Sequence, residues 1–224
     1  MARRVSAPLF GAAACLGGVI VVAFFAYKVG PTIHADASLL NRLSAPRDGL
    51  RFDLATVVAH LADPLPLALM TLAVAGLGFW RWGRRRETLA GVAVVLGANL
   101  TTQVLKHLFE HHRYQDFLGV EQPWANAFPS GHTTAAVSIA IAALLIVPPR
   151  LLPRAVPIAA AFAAAVGLAV VVIEWHYPSD VIGGTLVAAA WGLAALAWLR
   201  FRAERDRGRV PEAQASSRFA ISTK

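Results

Sequence analysis

The stretch VVVIEWHYPSDVIGG, residues 170–184, sets a short polar passage between two apolar runs. One run reaches back to about residue 155 and the other forward to about residue 199. At 1.5 Å per helical residue, each is long enough to cross about 30 Å of bilayer hydrocarbon. The passage therefore reads as a turn at a membrane boundary. Inside it, His176 and Asp180 stand four residues apart, where either packing or a reaction could account for them.

The rest of the chain has the same character. Of its 224 residues 57% are hydrophobic and only 15% charged, with a mean hydropathy of +0.55. A soluble domain carries nearer a quarter charged residues. Apolar runs cover about 8–29, 64–82, 88–108, 132–147, 155–175 and 178–199, so the expected fold is all-α, with six transmembrane helices in one bundle. Asp63-Pro64 suits a helix start, with the aspartate capping and the proline in the first turn. Residues 31–62 form an external segment, expected to lie along the membrane surface as a helix. One transmembrane domain is expected over 1–201, with a polar, disordered tail over 202–224. Cys15 is the single cysteine, which excludes an internal disulfide or a cysteine-based metal site.

The net charge of +8 has a topological explanation. Fifteen basic residues fall on one side of the alternating segments, including Arg81, Arg84, Arg85, Arg86, Arg150 and Arg154, against six on the other. The basic excess marks the cytoplasm. Both termini are then inside, in a cytoplasmic membrane, and no nucleic-acid partner is implied. The turn around His176 and the loop between the third and fourth segments share the external face.

That face collects the reactive side chains. Lys106 and Arg113, seven residues apart, fall on one side of a helix about 10 Å apart. They suit either snorkelling to lipid headgroups or clamping an anionic phosphate. His107, His111 and His112 lie beside them without the acidic companions of a metal site, and no metal or other cofactor is expected. "PSGH", residues 129–132, opens the fourth segment. Ser130 can cap it, Gly131 permits close approach, and a helix start binds anions. At the opening passage Asp180 falls in the first turn of the sixth segment, placed to orient His176. Two cations, an anion-binding helix start, and two histidines, one backed by a carboxylate, are the parts that phosphoryl transfer through a phosphohistidine requires.

In their order and spacing these residues resemble the type 2 phosphatidic acid phosphatase superfamily, related in its motifs to vanadium haloperoxidases and bacterial acid phosphatases. That pattern is Lys, six residues, Arg-Pro; then Pro-Ser-Gly-His; then Ser-Arg, five residues, His, three residues, Asp. Lys106 and Arg113 match the first part, residues 129–132 the second, and His176 and Asp180 the end of the third. The resemblance covers roughly residues 60–195. It implies His176 as nucleophile, Asp180 as its orienting partner and His132 as acid for the leaving group. Lys106, Arg113, Ser130 and Gly131 would bind phosphate, without a metal. The implied substrates are lipid phosphates and diphosphates, among them phosphatidic acid, phosphatidylglycerol phosphate and polyprenyl diphosphates. Two positions depart from the pattern. Tyr114 replaces the first proline, and Ala169 and Val170 stand where Ser-Arg belongs. Removing one charge-assisted hydrogen bond from a developing anion costs about 3 kcal/mol, roughly a hundredfold in rate. A phosphotransferase using the same site and a non-catalytic lipid-phosphate binder are the alternative readings.

Overall fold

The computed structural model describes the backbone of residues 2–109 and 127–221 and the side chains of residues 5–109 and 127–207. The described residues form helices and turns, with no strand. Eight α-helices follow in order: α1 (Ala2–Lys28), α2 (Gly30–Leu43), α3 (Leu50–His60), α4 (Pro64–Gly76), α5 (Arg85–Leu108), α6 (Gly131–Ile146), α7 (Leu152–Val172) and α8 (Pro178–Ile221). A π-helical turn, Leu77–Arg81, prolongs α4, and a 3-10 turn, Pro149–Leu151, leads into α7.

Five of these segments are long and apolar enough to cross a membrane: Val5–Lys28, Pro64–Arg81, Arg85–Leu108, Pro149–Val172 and Pro178–Arg207. The chain is a multi-pass membrane protein. α6 is apolar but shorter, and it lies in the middle of the bundle against α4, α5, α7 and α8. Most of its residues are buried. Its backbone is therefore surrounded by protein rather than lipid, which relaxes the length a spanning helix needs.

Small residues let the helices close up. α1 runs antiparallel to α8, with Gly11 against Leu193 and Gly18 against Leu186. Gly91 on α5 lies beneath Ile146 and Ala142 of α6. Across the same interface Thr102 Oγ1 and Thr134 Oγ1 are 2.9 Å apart, and Asn99 Nδ2 donates to Ser138 Oγ at 3.3 Å. In a bilayer such bonds contribute about 0.6 kcal/mol each, so close packing of the helices stabilises the bundle more than they do.

The surface segment is two helices rather than one. α2 and α3 sit over the end of α7, where Leu40 packs with Val171 and Tyr177, and Ala55 and Ala59 pack with Ala169 and Val170. The linker between them satisfies an orphan carbonyl at the end of α7, as Ala45 N donates to Val172 O at 3.1 Å. α2 also holds the start of α8, where the Asp36 carboxylate accepts the Ser179 N–H at 3.0 Å and the Ser179 hydroxyl at 2.6 Å. α8 continues as helix past Phe201 through the polar residues to Ile221.

Candidate active site

The site assembles where the start of α6, the end of α5 and the α7–α8 turn meet. Ser130 is the N-cap of α6, and its hydroxyl accepts from Thr133 N at 3.3 Å and from Thr133 Oγ1 at 3.0 Å. The Ser130 side chain is fully buried and occupied with capping. Its carbonyl receives Thr134 N at 3.0 Å, which leaves the Gly131 and His132 N–H groups without an acceptor among the described residues. Lys106, from the last turn of α5, brings Nζ to 3.6 Å from the point a Gly131 side chain would occupy. A cation and two free N–H groups thus face one spot at a helix start, the arrangement that holds an anion.

His176 is placed by the way α7 ends. Glu174 takes a left-handed conformation, φ 62°. Its N–H donates to Val171 O at 3.0 Å and the Trp175 N–H to Val170 O at 3.0 Å, closing a Schellman cap. The His176 N–H joins the same Val170 carbonyl at 3.1 Å. Immediately afterwards Pro178 starts α8, and Asp180 reaches back so that Oδ2 accepts the Tyr177 N–H at 2.9 Å. The same oxygen stands 3.5 Å from His176 Nδ1, within ion-pair range but without hydrogen-bond geometry. His176 and Asp180 are both buried. Catalytic hydrogen bonds of this kind commonly tighten when ligand binds.

The two motifs are locked together by Gly183 and Gly184. A side-chain carbon on Gly184 would stand 2.6 Å from Ser130 O, and one on Gly183 would stand 2.6 Å from the Phe128 ring. Ser130 N donates to Asp180 O at 3.0 Å across this contact. The centroids of the His132 and His176 rings are consequently 6.2 Å apart.

Sequence reasoning missed a second carboxylate. The local sequence suits Asp63 to capping α4, but its side chain makes no cap bond. Pro66 at the third helical position has no N–H to offer, which removes one of the two donors a capping carboxylate would use. Instead His132 Nε2 lies 3.1 Å from Asp63 Oδ1, and His60 Nδ1 lies 2.8 Å from Asp63 Oδ2. Partial burial pushes the Asp63 pKa up, but hydrogen bonds and charge from His60 and His132 outweigh it and hold the carboxyl below its ordinary value. The Trp175 ring packs beside both histidines, with centroids 5.2 Å from His132 and 5.4 Å from His60. The two prolines after Asp63, with His60 three residues before it, were the available signal.

From Lys106, Gly131 and His132 a groove of about 650 Å³ runs down between α4 and α5. Leu67, Leu72 and Leu96 are among its mainly apolar walls. Five sequence-derived residues, Lys106, Gly131, His132, His176 and Asp180, meet here. Ser130 caps α6 with its hydroxyl beside them, and Arg113 lies outside the described residues. Val170, where the resembled pattern has arginine, is fully buried in the apolar cluster beneath α3. The Glu174 carboxylate reaches Arg47, at 3.8 Å.

The fold is similar to a crystal structure of a transmembrane PAP2 type phosphatidylglycerolphosphate phosphatase from Bacillus subtilis, with a TM-score of 0.70. Identity is 21%, over 88% of this chain and 97% of that one. No curated protein matches the sequence. The sequence profile of the PAP2 superfamily matches residues 87–204, which is more than half of the chain and takes in Lys106, His132, His176 and Asp180. The protein belongs to the PAP2 superfamily.

Proposed function

We propose that this protein is a membrane phosphatase that removes phosphate from a lipid phosphate or diphosphate through phospho-His176, without a metal. The observation that carries the reading is two histidines, with ring centroids 6.2 Å apart, beside a lysine and a bare helix start at the mouth of an apolar groove. Asp180 faces Nδ1 of His176, so Nε2 is the attacking nitrogen. As the P–N bond forms, the bond to the lipid oxygen breaks and His132 delivers a proton to that oxygen. Neutral His132 then takes a proton from water, the hydroxyl attacks phosphorus, and the P–N bond breaks to release phosphate. Lys106 and the Gly131 and His132 N–H groups stabilise the equatorial oxygens. The groove takes the acyl or prenyl chain of a substrate such as phosphatidic acid, phosphatidylglycerol phosphate or a polyprenyl diphosphate. α6 crosses as the fourth of six spans, and the positive-inside rule puts the site on the external face of the cytoplasmic membrane.

The test is phosphate release by detergent-solubilised protein from that panel of lipids. His176→Ala should abolish release, whereas Arg150→Ala, exposed at the far end of the bundle, should leave it unchanged. Equal activity in both variants overturns the assignment. One observation favours a non-catalytic lipid-phosphate binder, namely the burial of Val170 in apolar packing where the family pattern places a phosphate-binding arginine. Lipid binding without turnover and without a trapped phosphohistidine is the outcome that reading requires.

A further inference from the structure

The site contains two carboxylates in contact with histidines, and only the contact of His176 and Asp180 belongs to the sequence pattern. The other joins residues from three places: Asp63 in the α3–α4 turn, His60 at the end of α3 and His132 in the first turn of α6. The α3–α4 turn is tight, with Leu61, Ala62 and Asp63 N–H groups each returning to the carbonyl three residues back. It therefore fixes the Asp63 carboxylate relative to His60, and α4 starts at once with Pro64.

We propose that Asp63 is a positioning residue for His132, holding its ring by Nε2 so that Nδ1 presents the proton to the leaving oxygen, with His60 steadying the carboxylate from outside. The proposal rests on the reading of His132 as the leaving-group acid. Its chemistry follows from the contacts. An ionised carboxylate accepts and does not donate, so the ring nitrogens facing it, His132 Nε2 and His60 Nδ1, both carry hydrogen. With Nε2–H committed to Asp63, the proton that His132 gives up and regains is the one on Nδ1. The carboxylate also balances charge. Lys106 stands beside Gly131, and the His176 ring lies 6.2 Å from that of His132, so protonated His132 has a cation and a second histidine as neighbours. Asp63 is the carboxylate in contact with it among the described residues.

His60 and His132 bind opposite oxygens of Asp63, and they differ in surroundings. The His60 side chain is 52% exposed and that of His132 is 25% exposed. His60 is thus the outer member, packed edge-on against Trp175, and His132 the inner one. A purely structural staple between α3 and α6 would use the same bonds. It would not, however, make the loss on mutation depend on the leaving group.

That dependence is the test. Wild type, Asp63→Asn, His60→Gln, His132→Asn and the double variant Asp63→Asn/His132→Asn are assayed in detergent on two chain-matched substrates. One is a long-chain alkyl phosphate, whose alkoxide needs a proton to leave, and the other a long-chain nitrophenyl phosphate, whose phenoxide does not. Because general acid catalysis contributes roughly 10²–10⁴-fold, Asp63→Asn should lower kcat/KM, which reports the steps up to loss of the leaving group, by about 10- to 100-fold on the alkyl ester and by less than about 3-fold on the nitrophenyl ester. The double variant should be no slower than His132→Asn, since a positioning residue has nothing left to position. Equal losses on both esters, or additive losses in the double variant, overturn the proposal. If Asp63→Asn does not accumulate as folded protein, His60→Gln decides by the same comparison, with a loss of about 3-fold or more confined to the alkyl ester expected and an equal loss on both esters contradicting it. Failure of the underlying reading looks different, because His132→Asn itself would then treat the two esters alike.

Discussion

Glu174 is the residue on which the geometry of the α7–α8 turn depends. Non-glycine residues at positive φ are strained by about 1–2 kcal/mol, because Cβ crowds the following carbonyl oxygen. Here the strain closes the Schellman cap and delivers the His176 N–H to Val170 O. The Arg47 contact does not offset it, because that pair is 3.8 Å apart with Arg47 74% exposed, where ion pairs contribute about 0–1 kcal/mol. Two substitutions should separate backbone from side chain. Glu174→Gly relieves the strain but loosens the unfolded chain by about 0.4–1 kcal/mol, so a net stabilisation of about 0.5 kcal/mol is expected, with activity retained. Glu174→Val, β-branched and least tolerant of this region, should destabilise by about 1–3 kcal/mol and lower phosphate release. Thermal unfolding in detergent read beside activity checks both, and a Val variant as active and stable as wild type refutes the role given to the turn. The sequence shows a glutamate two residues before the histidine and nothing of its φ, since the left-handed position of a Schellman cap is usually marked by glycine. Asp63 shows the same limit differently. Its capping propensity is a local property, whereas its bond to His132 spans 69 residues.

At the scale of elements, hydrophobic runs made the helices legible and left their contacts hidden. The run that begins at Pro64 is visible as an apolar stretch, but the π-helical turn that extends it, where Gly78 packs under Thr88 and Ile146, is not. The surface segment divides because residues 44–49 break the helical path to place Ala45 against the end of α7. The most consequential hidden contact is between α6 and α8. A methyl on Gly184 would stand 2.6 Å from Ser130 O and 3.0 Å from Thr134 Oγ1, and the backbone carbonyl cannot swing aside as a flexible side chain would. Gly184→Ala should therefore part the start of α6 from the first turn of α8, stretching the Ser130 N to Asp180 O bond. The expected cost is about 1–3 kcal/mol together with a clear loss of activity. Gly17→Ala in α1, which has nothing within 4 Å of the new methyl, should be neutral or stabilising by up to about 1 kcal/mol. If the two variants unfold at the same temperature and release phosphate equally, the motifs are not held by this contact.

Across the whole molecule, the arrangement of charge and the arrangement of chemistry agree. α7 is 21 residues long, about 31 Å, close to the thickness of bilayer hydrocarbon. Arg150 lies just before it and Glu174 just after it, beside Arg47. Its two ends therefore mark opposite membrane boundaries. At the Arg150 end, Arg84 donates to Leu145 O of α6 at 3.3 Å and Arg86 pairs with Asp206 of α8, so the basic clusters gather there. The Glu174 end holds Lys106, His132, His176 and Asp63 and lies under α2 and α3. The positive-inside rule then predicts that Asp48, exposed in the α2–α3 linker, faces outward and that Arg150 faces the cytoplasm. In a Cys15→Ala background, Asp48→Cys should react with a membrane-impermeant maleimide on intact cells, and Arg150→Cys should react only after permeabilisation. The reverse pattern would turn the site toward the cytoplasm and make its substrates inner-leaflet lipids. Because the groove between α4 and α5 starts from Lys106 and His132 at the site's end of the bundle, the same labelling also decides which leaflet supplies the lipid.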